Sequence, residues 1–207
     1  MSEFGGDKML IIGLTGPTGA GKSSVCAKAR ELGFFHIDCD KTARACTAFG
    51  SPLLEKIEEA FSGVVEKGEL NRKKLAEKAF SSPESTEKLN SITLPFILSR
   101  IKEEIEEARK SGEKGILLDA PTLFESGADA LCDLKIGLLS PAEDRLSRIM
   151  ARDEIGEEDA KRRMGAGKKD DFYLERCEHI IYNNESLSSL EEKATELFSK
   201  ILKEEIS

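Results

Sequence analysis

One stretch near the amino terminus constrains this chain more than any other. Residues 9–24 read Met-Leu-Ile-Ile-Gly-Leu-Thr-Gly-Pro-Thr-Gly-Ala-Gly-Lys-Ser-Ser. An apolar run, Met9 to Leu14, empties into a loop bearing Gly16, Gly19 and Gly21, and Lys22 and Ser23 follow at once. The spacing is G-x-x-x-x-G-K-S, in the strand–loop–helix context that makes such a motif credible. Its chemistry is the cradling of a polyphosphate. Successive backbone amides must face one concavity, and glycine alone allows the torsions and the close approach. The loop runs into a helix N-terminus, whose free amides and partial positive charge add to anion binding. Gly16, Thr18, Gly19, Ala20, Gly21, Lys22, Ser23 and Ser24 are therefore the expected nucleotide contacts. Lys22 reaches the β and γ phosphates, and the Ser23 hydroxyl ligates the accompanying Mg²⁺. The competing explanation is a chance glycine-rich turn, which composition alone would produce in roughly one chain of this length in a hundred.

The balance of charge excludes several classes. Thirty-nine acidic against 31 basic residues leave a net charge of −8, which argues against nonspecific nucleic-acid binding and against a basic membrane-facing surface. No apolar run approaches the roughly 18 residues of a membrane span. Met1 to Lys8 lacks an apolar segment, so it reads as a short disordered lead-in or cloning remnant and not as a secretory signal. The five cysteines (Cys26, Cys39, Cys46, Cys132, Cys177) are scattered and lack C-x-x-C spacing. Neither a disulfide framework nor a zinc site follows from them, and reduced, mostly buried thiols of a cytoplasmic protein are expected. His36 and His179 lie within apolar runs, where a packed histidine outweighs a ligand.

Beyond the glycine-rich loop, Val25, Cys26, Ala29 and Leu32 share one helix face that Gly33 ends. Four short runs follow that are apolar and do not alternate: Phe34 to Ile37, Gly115 to Leu118, Lys135 to Leu139, and His179 to Tyr182. Strands of this type belong to a parallel sheet covered on both faces. With helical patterns between them, they predict an α/β fold, a doubly wound parallel five-stranded sheet, within one domain over residues 9–207. Residues 39–114 form a long helical insertion. Leu53, Leu54, Ile57 and Phe61 mark one helix there, and Asn71 caps a second. Ser82-Pro83 opens a third, and Pro95 starts or kinks a fourth. An excursion this large suggests a cap over the carboxyl ends of the strands, where open α/β sheets bind substrates. Residues 141–176 are dense in arginine and acid and read as a lid closing on a transferring phosphate, or alternatively as a polar surface helix pair. The last helix, through Leu190, Ala194 and Phe198, is packing.

Two carboxylates stand out. Asp38 ends the second strand, expected to lie beside the strand that feeds the phosphate loop, and an acid there can deprotonate an acceptor hydroxyl. Its rival role is capping of the following helix, which Asp40 suits better. Asp119 ends the third strand and is expected either to steady hydrated Mg²⁺ or to make a plain strand-end hydrogen bond. No Asn-Lys-x-Asp guanine signature is present. Asp153-Glu-Ile-Gly156 matches D-x-x-G, but it lies in a charged helical region and not after a strand.

Taken together, these stretches resemble the dephospho-coenzyme A kinase family across nearly all of residues 9–200. The residues that carry the likeness are Gly13 to Ser24, Ile37-Asp-Cys-Asp40 with Ala43-Arg44, Leu70-Asn-Arg72, and Leu89-Asn-Ser-Ile92. They continue with Asp119-Ala-Pro-Thr-Leu-Phe-Glu-Ser-Gly127, Arg148-Ile-Met-Ala-Arg-Asp153 and Ile180-Ile-Tyr-Asn183. The resemblance implies ATP-dependent phosphorylation of the ribose 3′-hydroxyl of dephospho-CoA, with Mg²⁺, in the cytoplasm, by a monomer or small homo-oligomer. It implies Asp38 as base, Lys22 as γ-phosphate contact, Arg72 and Glu125 near the acceptor, and Arg148, Arg152 and Arg163 in the lid. The sequence departs from the family pattern at Leu94, Thr122, Arg145, Gly167 and Cys177-Glu178. Another small-molecule kinase, acting on a nucleoside, nucleotide or sugar hydroxyl, is the alternative, as is a nucleotide-binding module without useful turnover.

Overall fold

The computed structural model describes residues 9–205, so the expectation for residues 1–8 lies outside the described residues. Its main sheet takes β1 (Leu10–Thr15), β2 (Phe34–Asp38), β5 (Gly115–Asp119), β6 (Leu134–Leu139) and β7 (His179–Tyr182) in the lateral order β2-β5-β1-β6-β7. A two-stranded antiparallel hairpin, β3 (Val65–Glu66) and β4 (Glu69–Leu70), is a second, separately hydrogen-bonded sheet. The five-stranded sheet is parallel, as expected. Its register sets Leu14 opposite Asp119 and Thr15 opposite Gly137, so β1 and β5 end within a residue of each other while β6 runs two residues further.

One expectation about the sheet is corrected. β2 does not lie beside β1, because β5 occupies that place. Burial explains the order. Ile116, Leu117 and Leu118 of β5 are wholly buried, whereas β2 exposes Phe35 and half-buries His36. The more apolar run takes the interior position, where both faces are covered. Asp119, and not Asp38, therefore ends the strand adjoining β1.

The chain forms two compact units, one from the residues up to Ile37 together with those from Glu107 on, the other Asp38–Glu106. In the first, helix α1 (Lys22–Glu31) supplies Val25, Cys26 and Ala29 to a core with Ile12, Leu14, Leu117, Ile136 and Leu138. The C-terminal helix, Leu187–Glu205, adds Leu190, Ala194, Phe198 and Ile201 to the same core. Phe34 and Phe198 meet there with ring centroids 5.1 Å apart.

The second unit is mostly helical. It comprises α2 (Cys39–Ala45), α3 (Pro52–Ala60), α4 (Arg72–Ala79) and most of α5 (Pro83–Ala108). Asn71 caps α4 as expected, its side chain accepting from the Lys74 amide at 3.1 Å. Pro95, by contrast, neither starts nor ends a helix: it sits inside the 26 residues of α5. A proline there removes one backbone hydrogen bond. Leu89 and Ile92 before it, and Phe96 after it, all pack on the cluster of Leu53, Ile57, Phe61 and Leu75, so burial on both sides holds one continuous helix.

After β6 the chain continues through α6 (Ala142–Asp153), α7 (Glu157–Gly165) and α8 (Asp170–Leu174), all in the first unit. Asp153 closes α6, in keeping with its reading as a residue of a helical region. Among the described residues, no helix is long and apolar enough to cross a membrane.

Candidate active site

The glycine-rich loop lies between the end of β1 and the start of α1, and the packing around it explains its residues. A Cβ on Gly16 would stand 2.3 Å from the Leu138 carbonyl oxygen, and the residue has φ +148°. No other residue fits between β1 and β6 at that point. Gly21 occupies the N-cap position of α1 with φ +103°, and a Cβ there would meet the Asn183 amide nitrogen at 2.6 Å. That amide is buried and donates to the Ala20 carbonyl at 2.8 Å, which ties the loop to the end of β7. Lys22 donates from Nζ to the Gly16 carbonyl at 3.1 Å, curling back over the loop. Thr18 and Gly19 are half-buried, Ser23 is exposed at the head of α1, and the Ser24 amide donates to the Gly21 carbonyl at 3.1 Å.

Arg148, on α6, donates from Nη1 to the Gly19 carbonyl at 3.1 Å and to the Ser140 hydroxyl at 2.8 Å. Its other terminal nitrogen lies 3.9 Å from Asp144. The guanidinium is thereby fixed against the outer wall of the loop. Arg152 forms a two-pronged pair with Asp153, at 2.7 and 2.9 Å, and Arg163 of α7 donates to the same carboxylate. The Arg152 hydrogen bond, aided by both arginine charges, holds the Asp153 carboxyl below its ordinary value of 3.8. Arg148 is thus held by the Gly19 carbonyl, Ser140 and Asp144, and Arg152 and Arg163 share Asp153.

Asp119 is the last residue of β5, at its loop-side end. Its Oδ2 accepts from the Cys26 thiol at 3.4 Å, while its Oδ1 is buried without a hydrogen-bond partner. Glu125 belongs to the turns after β5, 3.9 Å from the Lys168 ammonium. Beside it, Phe172 of α8 meets Phe124 edge-to-face at 5.5 Å and carries the Arg176 guanidinium 4.3 Å above its ring.

In the second unit, Asp38 is the N-cap of α2, accepting from the Lys41 amide through Oδ1 at 2.9 Å. The capping role expected of Asp40 falls to Asp38, because only the residue preceding the first helical turn has its side chain beside the free amides. Arg72, at the start of α4, donates to the Thr47 hydroxyl at 2.9 Å. With Asp40, Arg44 and Thr47 it forms the polar side of a cavity of about 360 Å³, whose apolar side includes Ile57 and Leu75.

Sequence reasoning missed the structural parts of Asn183 and Ser140, both buried polar residues that hold the loop and its arginine. No local pattern marks such residues. The one available signal was a polar side chain immediately after an apolar strand in each case.

A phosphate loop at the head of a parallel sheet, with a guanidinium fixed across it from a later helix, defines a P-loop small-molecule kinase. Comparison with known proteins narrows the class. The family model described as Dephospho-CoA kinase matches residues 10–189. Dephospho-CoA kinase of Corynebacterium diphtheriae is 39% identical over 194 residues, 93% of this chain and 97% of that protein. Its counterpart from Corynebacterium jeikeium is 38% identical over 186 residues, 89% and 96% of the two chains. The solved dephospho-CoA kinase from Campylobacter jejuni superposes with a TM-score of 0.68 at 29% identity, covering 93% of this chain and 97% of that one. The chain belongs to the dephospho-CoA kinase family. It is accordingly a phosphotransferase with an alcohol group as acceptor, with ATP as co-substrate and a small molecule as substrate.

Proposed function

We propose that this protein transfers the γ-phosphoryl group of ATP to the ribose 3′-hydroxyl of dephospho-CoA, releasing CoA and ADP, in the cytoplasm. The observation that carries this reading is the Arg148–Gly19 clasp over a complete phosphate loop. A guanidinium held on the loop supplies a fixed positive charge close to the bound triphosphate, and such charges are the main source of catalysis in these reactions.

The roles of the side chains follow from their positions. Loop amides, those of Gly19, Gly21, Lys22 and Ser23 among them, wrap the β phosphate, and Lys22 Nζ leaves the Gly16 carbonyl to meet the γ phosphate. The Ser23 hydroxyl and Asp119 Oδ1, which has no hydrogen-bond partner, would supply the hard oxygens that suit Mg²⁺, directly or through its waters. Bound there, Mg²⁺ would neutralise charge on the β and γ oxygens. Asp38 accepts the proton of the acceptor hydroxyl through the oxygen not committed to the Lys41 amide. Arg152 and Arg163, gathered on Asp153, belong to a lid over residues 141–176 that closes on the triphosphate. Residues 39–114 receive the acceptor, with Arg72 and Arg44 offering cations to its phosphates and the apolar wall of their cavity facing its uncharged parts. Glu125, in the first unit, is a further acceptor contact by family likeness.

The test is direct. Purified protein with Mg²⁺, ATP and dephospho-CoA should form CoA and ADP in equal amounts. ADP release with a nucleoside or sugar acceptor, and none with dephospho-CoA, would overturn the substrate assignment.

A further inference from the structure

Three residues far apart in sequence converge beside the phosphate loop. Cys26 lies on α1, one helical turn after Lys22, His36 is in β2, and Asp119 ends β5. One ligand-type atom from each lies within 4.8 Å of the other two. The Cys26 sulfur is 3.4 Å from Asp119 Oδ2, and His36 Nε2 is 3.8 Å from the same oxygen. The second distance is too long for a hydrogen bond. His36 Nε2 is buried without a partner, and so is Asp119 Oδ1. A buried imidazole nitrogen without a partner, beside a thiol and a carboxylate whose other oxygen is also unpartnered, is costly unless something binds there.

We propose that Cys26, His36 and Asp119 form a binding site for a soft divalent cation of the zinc class, next to the phosphate loop. It goes beyond the Mg²⁺-dependent transfer proposed above, and its inhibitory consequence rests on the part that reading gives Asp119. The donor set is sulfur, nitrogen and oxygen, which zinc accepts and Mg²⁺ does not. The geometry agrees. Bonds of about 2.3 Å to sulfur and about 2.0–2.1 Å to nitrogen and oxygen give tetrahedron edges of about 3.3–3.6 Å. The observed 3.4 and 3.8 Å need shifts of only a few tenths of an ångström. Cys26 is sealed in the core, but the side chains of His36 and Asp119 keep 14% and 18% of their exposure. That side admits the cation and leaves a fourth position for water.

Binding exchanges one proton. Burial raises the Cys26 thiol well above its ordinary range, and the neighbouring Asp119 charge raises it further. The cation displaces that proton to solvent. His36 must present a bare Nε2, so its remaining proton belongs on Nδ1, where the exposed Arg30 guanidinium now stands at 3.4 Å. Arg30 therefore opposes the site and must swing aside. Once held, the cation draws the Asp119 carboxylate from the nucleotide's own cation and slows phosphoryl transfer.

The test uses full-length protein without a histidine tag, with Co²⁺ as a visible stand-in for Zn²⁺. Wild-type protein should bind one Co²⁺ with a thiolate-to-metal absorption band, and Zn²⁺ should bleach it. Cys26→Ala should lose the band, and His36→Val should weaken binding. Arg30→Ala should tighten it by about tenfold, the scale of a residue touching a metal ligand. Thermal melting of each variant reports that it is folded. No band in the wild type, or a band that survives in Cys26→Ala, would overturn the site. Unchanged affinity in folded His36→Val would also overturn it. Zn²⁺ should inhibit the wild-type kinase at saturating Mg²⁺ more than either variant, each measured against its own zinc-free rate. A zinc-bound enzyme of undiminished rate upholds the site and overturns the assignment of Asp119 to the nucleotide's cation.

Discussion

Arg148 of α6 donates a hydrogen bond to the carbonyl oxygen of Gly19, 129 residues away in sequence, at 3.1 Å. A carbonyl of the phosphate loop and an arginine of α6 are therefore one mechanical unit. An amide loop that must bind anions would ordinarily leave its outward carbonyls to water, and here a cation takes one of them.

Substitution of that arginine should fall mainly on the rate. Arg148→Ala is expected to lower kcat by about 10³-fold or more, the scale on which an arginine stabilises a transferring phosphoryl group. Arg148→Lys should recover only part of the loss, since a single ammonium cannot hold Gly19 and Ser140 through one nitrogen while a second faces Asp144, nor present a planar, delocalised charge. Steady-state ADP release reads both, and a loss under threefold for alanine would remove Arg148 from the chemistry.

Asp38 has two roles that two substitutions separate. Asparagine is as good a cap as aspartate, so Asp38→Asn should fold normally while kcat falls about 10²–10⁴-fold. Asp38→Ala should show that loss together with about 1 kcal/mol of destabilisation from the missing cap. Urea titration beside the kinetics distinguishes them. An active Asp38→Asn enzyme would leave Asp38 a cap and nothing more.

The loop itself should tolerate no side chain at Gly16. Gly16→Ala must shift the Leu138 carbonyl or the loop. About 1–3 kcal/mol of strain corresponds to roughly 5- to 150-fold weaker ATP binding if the loop yields. Equilibrium binding of a fluorescent ATP analogue measures it, and unaltered affinity would mean the loop is not the phosphate cradle.

Asn183 holds the same loop from behind. Asn183→Ala leaves the Ala20 carbonyl buried without its donor, which should cost about 1–3 kcal/mol of stability. Chemical denaturation with and without ATP checks it, the ligand restoring part of the difference.

Asp153 provides a pH signature. Its carboxyl is depressed in the fold, chiefly by the Arg152 hydrogen bond. A depressed acid stabilises the folded state above its unfolded value and loses that contribution as pH falls through the folded value. Wild type should therefore be more stable than Asp153→Asn at neutral pH, and the two should converge below pH 3.8, the ordinary value for this group. Thermal melts across pH 2–7 (about five units of scan, as the linkage requires) test the sign, and a gap that widens in acid would refute it.

Much of this molecule was legible residue by residue. The phosphate loop is contiguous, so its glycines, Lys22 and Ser23 announce their use within eight positions. Strand runs announce themselves by being apolar throughout, and Asn71 caps the helix it precedes. The failures have a common origin. Pro95 suggests a helix boundary by its own torsions, yet packing on both sides of it keeps α5 whole. Asp38 suggests a neighbour of β1 by its position in the chain, yet β5 claims that place by being more completely buried.

By itself, the sequence determined everything that depends on near neighbours along the chain: the loop that wraps phosphate, the strand and helix pattern, and the family that both define. Tertiary structure alone decided the lateral order of the strands, the grip of Arg148 on Gly19, and the meeting of Cys26, His36 and Asp119. Torsional and periodic preferences are carried by a few adjacent residues. Lateral placement instead emerges from competition among all apolar segments for the same interior, which no single segment encodes.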